Sequence, residues 1–305
     1  MGKSGNIGNP FSKLTIANKL LGWFLLVALA PSLLAGYISY NNSVKAVKKE
    51  VINNLNTIAD NKSQNIMDYI NQEIVFIETL SYTPAVINAL KKYTAAFNNG
   101  IDSHEYLSVD NEFRPFLTYC KEKKIRENEI SNLLLVSPEG DVVFSVDRED
   151  DFGTSLIMGD YSNSELSKAF NNVKTLLATE MSEFSYCQAS KKPAAFIVSP
   201  VLEKGNFLGA ISTQLNTKTI YALSQDYSNL GKTGEIVIAK KTAGKNEAVI
   251  IAPLRNNPNA AFKVKRPISS RNPLKQAFEG QKGCGMIIDS EGRENLAAWR
   301  YIPYL

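Results

Sequence analysis

The chemistry open to this chain is limited first by its histidines, of which it has one. His104 is the only imidazole among 305 residues. A Ser/His/Asp triad, a Cys/His pair or a multi-histidine metal site would each have to be built around it. It sits just after the polar stretch 98–103 and reads as a solvated loop residue. Cys120, Cys187 and Cys284 are widely spaced with no CxxC, so they make neither a zinc framework nor a dense disulfide scaffold, although one pair could still bridge. The acidic run Asp147-Arg148-Glu149-Asp150-Asp151 lacks the spacing and the closing glutamate of a calcium loop and reads as a solvated turn. Gly231-Lys232-Thr233 imitates the end of a phosphate loop, but the first glycine such a loop needs falls on Asp226. Gly2, Gly5 and Gly8 lie in a polar tail with no strand before them and form no dinucleotide fingerprint. No catalytic, metal or cofactor site is expected.

The polar and aromatic residues placed by strand alternation to line a cavity are Tyr161, Tyr186, Ser190, Phe196, Ser199, Thr213 and Gln214. Core packing competes for the aromatics. Gln214 is the sharper signal, because an amide in the run Ile211-Ser212-Thr213-Gln214-Leu215 must be paired once buried.

The elements that must position these residues begin at a membrane. Residues 20–40 carry no charge, and about 20 apolar residues at about 1.5 Å each cross a hydrocarbon layer of about 30 Å. Trp23, Tyr37 and Tyr40 stand where interfacial aromatics settle. A cleavable signal peptide competes through Ala28-Leu29-Ala30, but the apolar run is too long and Pro31 would follow the cut, so an uncleaved anchor is expected. Lys3, Lys13 and Lys19 precede the span with no acid, which places the N-terminus in the cytoplasm and the bulk of the chain outside.

Beyond the span, Val44, Val47, Val51, Leu55, Ile58, Ile66, Ile70, Ile74 and Ile77 recur at helical spacing, and no proline intervenes between Pro31 and Pro84. This predicts a long amphipathic helix over 41–92, with a stripe on which two copies could pair as a homodimer. From about residue 131 the period becomes that of strands. Residues 133–136 and 142–146 form a hairpin turned at 137–141. A helix follows, capped by Ser162 or Asn163, with Leu166, Ala169, Phe170, Val173, Leu176 and Leu177 on one face. Residues 194–202 and 207–215 form a second hairpin. A short helix over 217–227 leads to the same order again: a hairpin from 235–239 and 247–251, a helix over 273–278, and a hairpin from 285–288 and 296–301 turned at Glu291-Gly292. The fold class is α+β, each lobe an antiparallel sheet with flanking helices. The composition, 44% apolar with a formal charge of +4, fits a globular chain and demands no nucleic acid.

Three stretches of the second lobe carry a resemblance: 229–235 (NLGKTGE), 252–262 with Pro253-Leu254-Arg255 and Ala260-Ala261-Phe262, and 296–303 (LAAWRYIP). With Asp151-Phe152-Gly153, 161–170 and 184–200 in the first lobe, they resemble the double-Cache sensor modules of bacterial transmembrane receptors, over essentially residues 11–305. The resemblance implies two PAS-like lobes on a long N-terminal helix and a small extracellular ligand in the membrane-distal lobe. It also implies a second membrane helix leading to a cytoplasmic output: a histidine kinase foremost, otherwise a diguanylate cyclase or a chemoreceptor. The Arg-x-Trp-Tyr cluster and later Asp of its amino-acid-binding members do not appear at the matching positions. The chain stops at Leu305, inside the last strands such a lobe should have, so the reading is of a receptor fragment. The expected layout is a cytoplasmic tail (1–19), a span (20–40), the helix (41–92), a distal lobe (93–227) and an incomplete proximal lobe (228–305). The competing classes are a membrane-anchored hydrolase using Ser, Asp and Glu, and an adhesive ectodomain with no enclosed pocket.

Overall fold

A computed structural model describes residues 15–125, 130–269, 273–289 and 292–304. Gly2, Gly5, Gly8, Lys3, Lys13 and Glu291 lie outside them. The chain divides into two units, residues 1–55 and 56–305.

From residue 16 the first unit is helix. Helix α1, Ile16–Ser81, contains Pro31, and its apolar stretch 20–40 is exposed almost throughout. By length and composition it is long and apolar enough to cross a membrane. Val47 and Val51 are exposed, whereas Val44 is half-buried.

In the second unit the predicted stripe packs. Ile66, Ile70 and Ile77 are buried with Tyr69 and Leu80, and Ile74 is half-buried. The helix does not continue to residue 92. It ends at Ser81, and α2, Pro84–Phe97, begins after Thr83, whose hydroxyl accepts from the Val86 amide at 3.4 Å. Pro84 dictates the break: it has no N–H to continue the ladder but fits the first turn of a new helix. Helix α3, His104–Ile125, is an element the sequence reading lacked, because its apolar positions are weakly segregated and Pro115 lies within it. His104 is therefore an exposed first-turn residue of a helix rather than part of a loop; Ser103 caps that helix by accepting from the Tyr106 amide at 3.1 Å.

Strands β1 (Ile130–Val136) and β2 (Val142–Ser145) form the first hairpin, with Gly140 at φ 97° in its turn. Helix α4 is Glu165–Leu176. Its cap is Ser164, not Ser162 or Asn163: the Ser164 hydroxyl accepts from Ser167 N–H at 3.1 Å. Leu166, Ala169, Phe170 and Val173 are buried as predicted, but Leu176 and Leu177 are exposed, because the helix ends there with Leu177 in the left-handed region at φ 53°. Then come β3 (Glu180–Met181), β4 (Ser185–Cys187), β5 (Lys192–Ala194), β6 (Phe196–Glu203) and β7 (Asn206–Leu215). The β6–β7 hairpin turns on Lys204 and Gly205, both at positive φ, the two-residue turn whose twist matches paired strands. The sheet order is β2-β1-β7-β6-β3, all antiparallel, with β4 and β5 paired apart.

Both faces of this sheet are covered, which explains why β1 is apolar at every position from 133 to 136. Leu133, Leu135, Ile197 and Ile211 meet α1 and α2 through Ile70, Ile77 and Leu90. Leu134, Val136, Val198 and Ala210 meet α4 through Leu166 and Phe170.

Helix α5, Thr217–Gln225, is capped by Asn216. Strands β8 (Ala239–Lys241), β9 (Glu247–Ile250) and β10 (Lys265–Pro267) make a three-stranded sheet; helix α6, Pro273–Phe278, follows; β11 (Gly283–Ile288) and β12 (Glu294–Trp299) pair with each other. The hairpin expected from residue 235 starts at Ala239, because Ile236 and Ile238 are spent on core packing. Arg300, only 10% exposed at its side chain, joins the last pair to α1. It donates to Asp60 Oδ1 at 2.5 Å, to Asn56 Oδ1 at 3.1 Å and to the Gly283 carbonyl at 3.2 Å.

Candidate ligand cavity

A cavity of about 420 Å³ lies at the N-terminal end of α4, between the loop 151–161 and the β4–β5 pair, with Phe196 in its wall. Backbone pairing sets its walls. After β2 the chain folds back along the sheet edge: Val142 N–H donates to the Thr154 carbonyl at 2.9 Å, Gly153 N–H to the Val142 carbonyl at 3.0 Å, and Leu156 N–H to the Gly140 carbonyl at 2.8 Å. The Ser167 hydroxyl, which bonds the Leu156 and Ser162 carbonyls at 2.6 and 2.8 Å, pins this loop to the first turn of α4. On the other side Tyr186 stands opposite Pro193, and Cys187 opposite Lys192.

Of the seven residues chosen from the sequence, Tyr161, Tyr186 and Phe196 line the cavity. Gln214 is the cross-strand partner of Phe196 and shares its face. It is 1% exposed, donates through Nε2 to Ser190 Oγ at 2.9 Å, and leaves Oε1 without a hydrogen-bond partner. Gln214 and Ser190 thus stand behind the lining rather than in it. Ser199 and Thr213 lie on the opposite face, towards α1: Ser199 Oγ donates to Ser81 Oγ at 3.2 Å, and Thr213 Oγ1 to the Asn132 carbonyl at 3.2 Å. The strand period of two separates them, since 199 is an odd step from 196 and 213 an odd step from 214.

The cavity also contains residues that the sequence reading did not select: Asp151, Asp160, Asn163, Glu165 and Cys187. Residues 147, 148 and 150 of the acidic run are exposed, as a solvated turn requires, but Asp151 departs from that reading. Asp147 pairs with Lys121, Arg148 donates to Asp110 at 3.0 Å, and Asp150 pairs with Lys191 at 3.0 Å. Asp151 turns inward, 3% exposed, with Oδ1 unpartnered. Burial pushes its carboxyl up to about 6, with the Asp150 charge adding and its own backbone N–H opposing. Phe152 following the acidic run was the available signal, since an aromatic in a turn has to find cover. The three cysteines are free thiols, Cys187 at the cavity and Cys284 accepting from Asn56 Nδ2 at 2.8 Å. Among the described residues no three His, Cys, Asp or Glu side chains converge as a metal site.

The Cache domain model, dCache_1, matches residues 43–305. The chain belongs to that family. Among solved structures, this Cache chain is similar to the extracellular domain of the putative histidine kinase mmHK1S-Z2 at 13% identity, with a TM-score of 0.52 over 83% of this chain and 93% of the other. It is similar to the sensory domain of the Campylobacter jejuni chemoreceptor Tlp3 at 12% identity and a TM-score of 0.52, over 85% and 92%. The ligand-binding domain of the same chemoreceptor in complex with 4-methylisoleucine gives 12% identity and a TM-score of 0.51, over 81% and 85%. At these identities the likeness is one of fold. No curated protein matches the chain. Cache membership agrees with the mixed helical and antiparallel architecture and with the predicted resemblance.

Proposed function

We propose that this Cache chain is the extracytoplasmic, small-ligand sensing region of a membrane-bound signal-transduction receptor, without catalysis of its own. The cavity at the start of α4 carries the reading: it is walled by two loops and a strand pair and holds a buried carboxylate oxygen, Asp151 Oδ1, that lacks an internal partner. The proposed layout is a cytoplasmic tail (1–19), a span (20–40), a helical stalk (41–92), a ligand-binding lobe (93–227) and a second lobe (228–305). The proposed output is that of a sensor histidine kinase, the type from which one of the solved relatives comes.

Ligand enclosure favours one arrangement of the loop 151–161 and the β4–β5 pair over another. A ligand shifts such an equilibrium only by its difference in affinity for the two states. The sheet under the cavity packs on α1 by its other face, so a shift in the sheet bears on that helix. The proposed homodimer pairs through the exposed Val47 and Val51.

Cys187 provides the test. In the full chain in lipid nanodiscs, compounds that occupy the cavity slow alkylation of Cys187 and leave Cys120 unchanged, read residue by residue by mass spectrometry. A broad metabolite library that never protects Cys187 would overturn the sensor reading, and turnover of any compound would favour the hydrolase.

A further inference from the structure

The residues around the cavity include three carboxylates, Asp151, Asp160 and Glu165, and no lysine, arginine or histidine. Glu165 is compensated, since Lys168 Nζ donates to it at 2.6 Å. Lys191 is committed to Asp150 at 3.0 Å, and Lys192 stands by Glu149. Asp160 is solvent-exposed. Asp151 has no lysine, arginine or histidine paired with it: it is 3% exposed, and Oδ1 has no hydrogen-bond partner. A carboxylate in that condition is costly unless something else in the site compensates it. Tyr161, Tyr186 and Phe196 supply aromatic faces in the same wall, surfaces that attract organic cations and not anions.

We infer that the occupant of this cavity is an organic ammonium compound seated on Asp151 Oδ1 and carrying no carboxylate of its own. The inference rests on the sensor reading and adds the charge of the ligand to it. A carboxylate-bearing compound would meet the unpaired Asp151 in a lining without lysine, arginine or histidine, the nearby Lys191 being paired with Asp150, so anions and zwitterions are discriminated against by the same group that attracts an amine.

The test uses the full chain in lipid nanodiscs, with thermal unfolding read against three sets of probes. The cations are butylamine, phenethylamine and choline; the anions are butyrate and 3-phenylpropionate; the zwitterions are 4-aminobutyrate and phenylalanine. At least one cation raises the unfolding temperature in proportion to the logarithm of its concentration, and the matched anion and zwitterion do not. Asp151→Asn weakens that cation at least about tenfold. Where Asp151→Asn fails to fold, the wild type decides: affinity for the cation climbs as pH rises and Asp151 ionises, with Glu149, Asp150, Asp160, Glu165, Tyr161, Tyr186, Cys187, Lys168, Lys191 and Lys192 the other titratable groups around it. Stabilisation by a carboxylate-bearing probe in preference to its amine overturns the ammonium assignment and leaves the sensor reading intact. So does a cation that binds the folded Asp151→Asn protein as well as the wild type. Silence from all seven probes overturns the assignment, and only the absence of Cys187 protection across the wider library extends that failure to the sensor reading.

Discussion

Asp151 is held buried at a cost that depends on pH. Its carboxyl titrates at about 6 in the folded chain against a reference of 3.8. The folded state therefore holds the proton more tightly than the unfolded state. Above pH 6 both states are ionised and the full penalty, about 3 kcal/mol, weighs against folding. As pH falls from 6 towards 3.8 the folded state protonates first and the penalty fades. Urea unfolding should thus show Asp151→Asn more stable than the wild type at pH 7.5, with the advantage gone at pH 4; an advantage independent of pH would remove burial of the charge as its cause. The residue scale is also where alternation misleads, since Ser199 and Thr213 were chosen as cavity residues, yet Ser199 bonds to Ser81 of α1 and Thr213 to the Asn132 carbonyl of β1.

Two contacts between elements carry more than their length suggests. Gly209 in β7 stands at φ 129°, and a Cβ there would lie 2.2 Å from the Val136 carbonyl oxygen of β1. Gly209→Ala should cost more than about 2 kcal/mol, through both the strained backbone and the displaced strand, measurable as a lowered denaturation midpoint. Arg300 clasps Asn56 and Asp60 of α1 to the end of β12, and its guanidinium, acting through a hydrogen bond, holds the Asp60 carboxyl below its usual range. Asn56 in turn donates to Cys284. Arg300→Ala should release that set, raising the alkylation rate of Cys284 several-fold while Cys120 is unaffected. Arg300→Lys should restore little, because a single ammonium cannot replace a fork that meets side chains and carbonyls together.

At the scale of the molecule, the N-terminal stretch of α1 exposes Leu20, Trp23, Phe24, Leu29, Leu33 and Tyr37 at 55–72%. So much contiguous apolar surface calls for a lipid or protein cover. Leu29→Arg should shift the chain out of the carbonate-resistant membrane fraction, the charge costing about 3 kcal/mol at the centre of a span. Equal recovery of wild type and Leu29→Arg as soluble protein would remove the anchor. Local signals sufficed for this much: an uncharged run of membrane length, the isoleucine stripe, the Ser137–Asp141 turn and the Lys204-Gly205 turn are all encoded by neighbours in sequence; both turns formed where they were expected, while the helix of the stripe ended at Ser81 instead of residue 92. Family membership was legible for the same reason, since it rests on short contiguous motifs. What only the tertiary structure decided is which of the buried polar groups share a cavity. That depends on which face each strand presents once β1 lies between β2 and β7, and on a loop folding back over a sheet edge. Through that fold Asp151 left water for the interior beside Tyr161 and Tyr186, an environment assembled from segments some tens of residues apart and written in none of them alone.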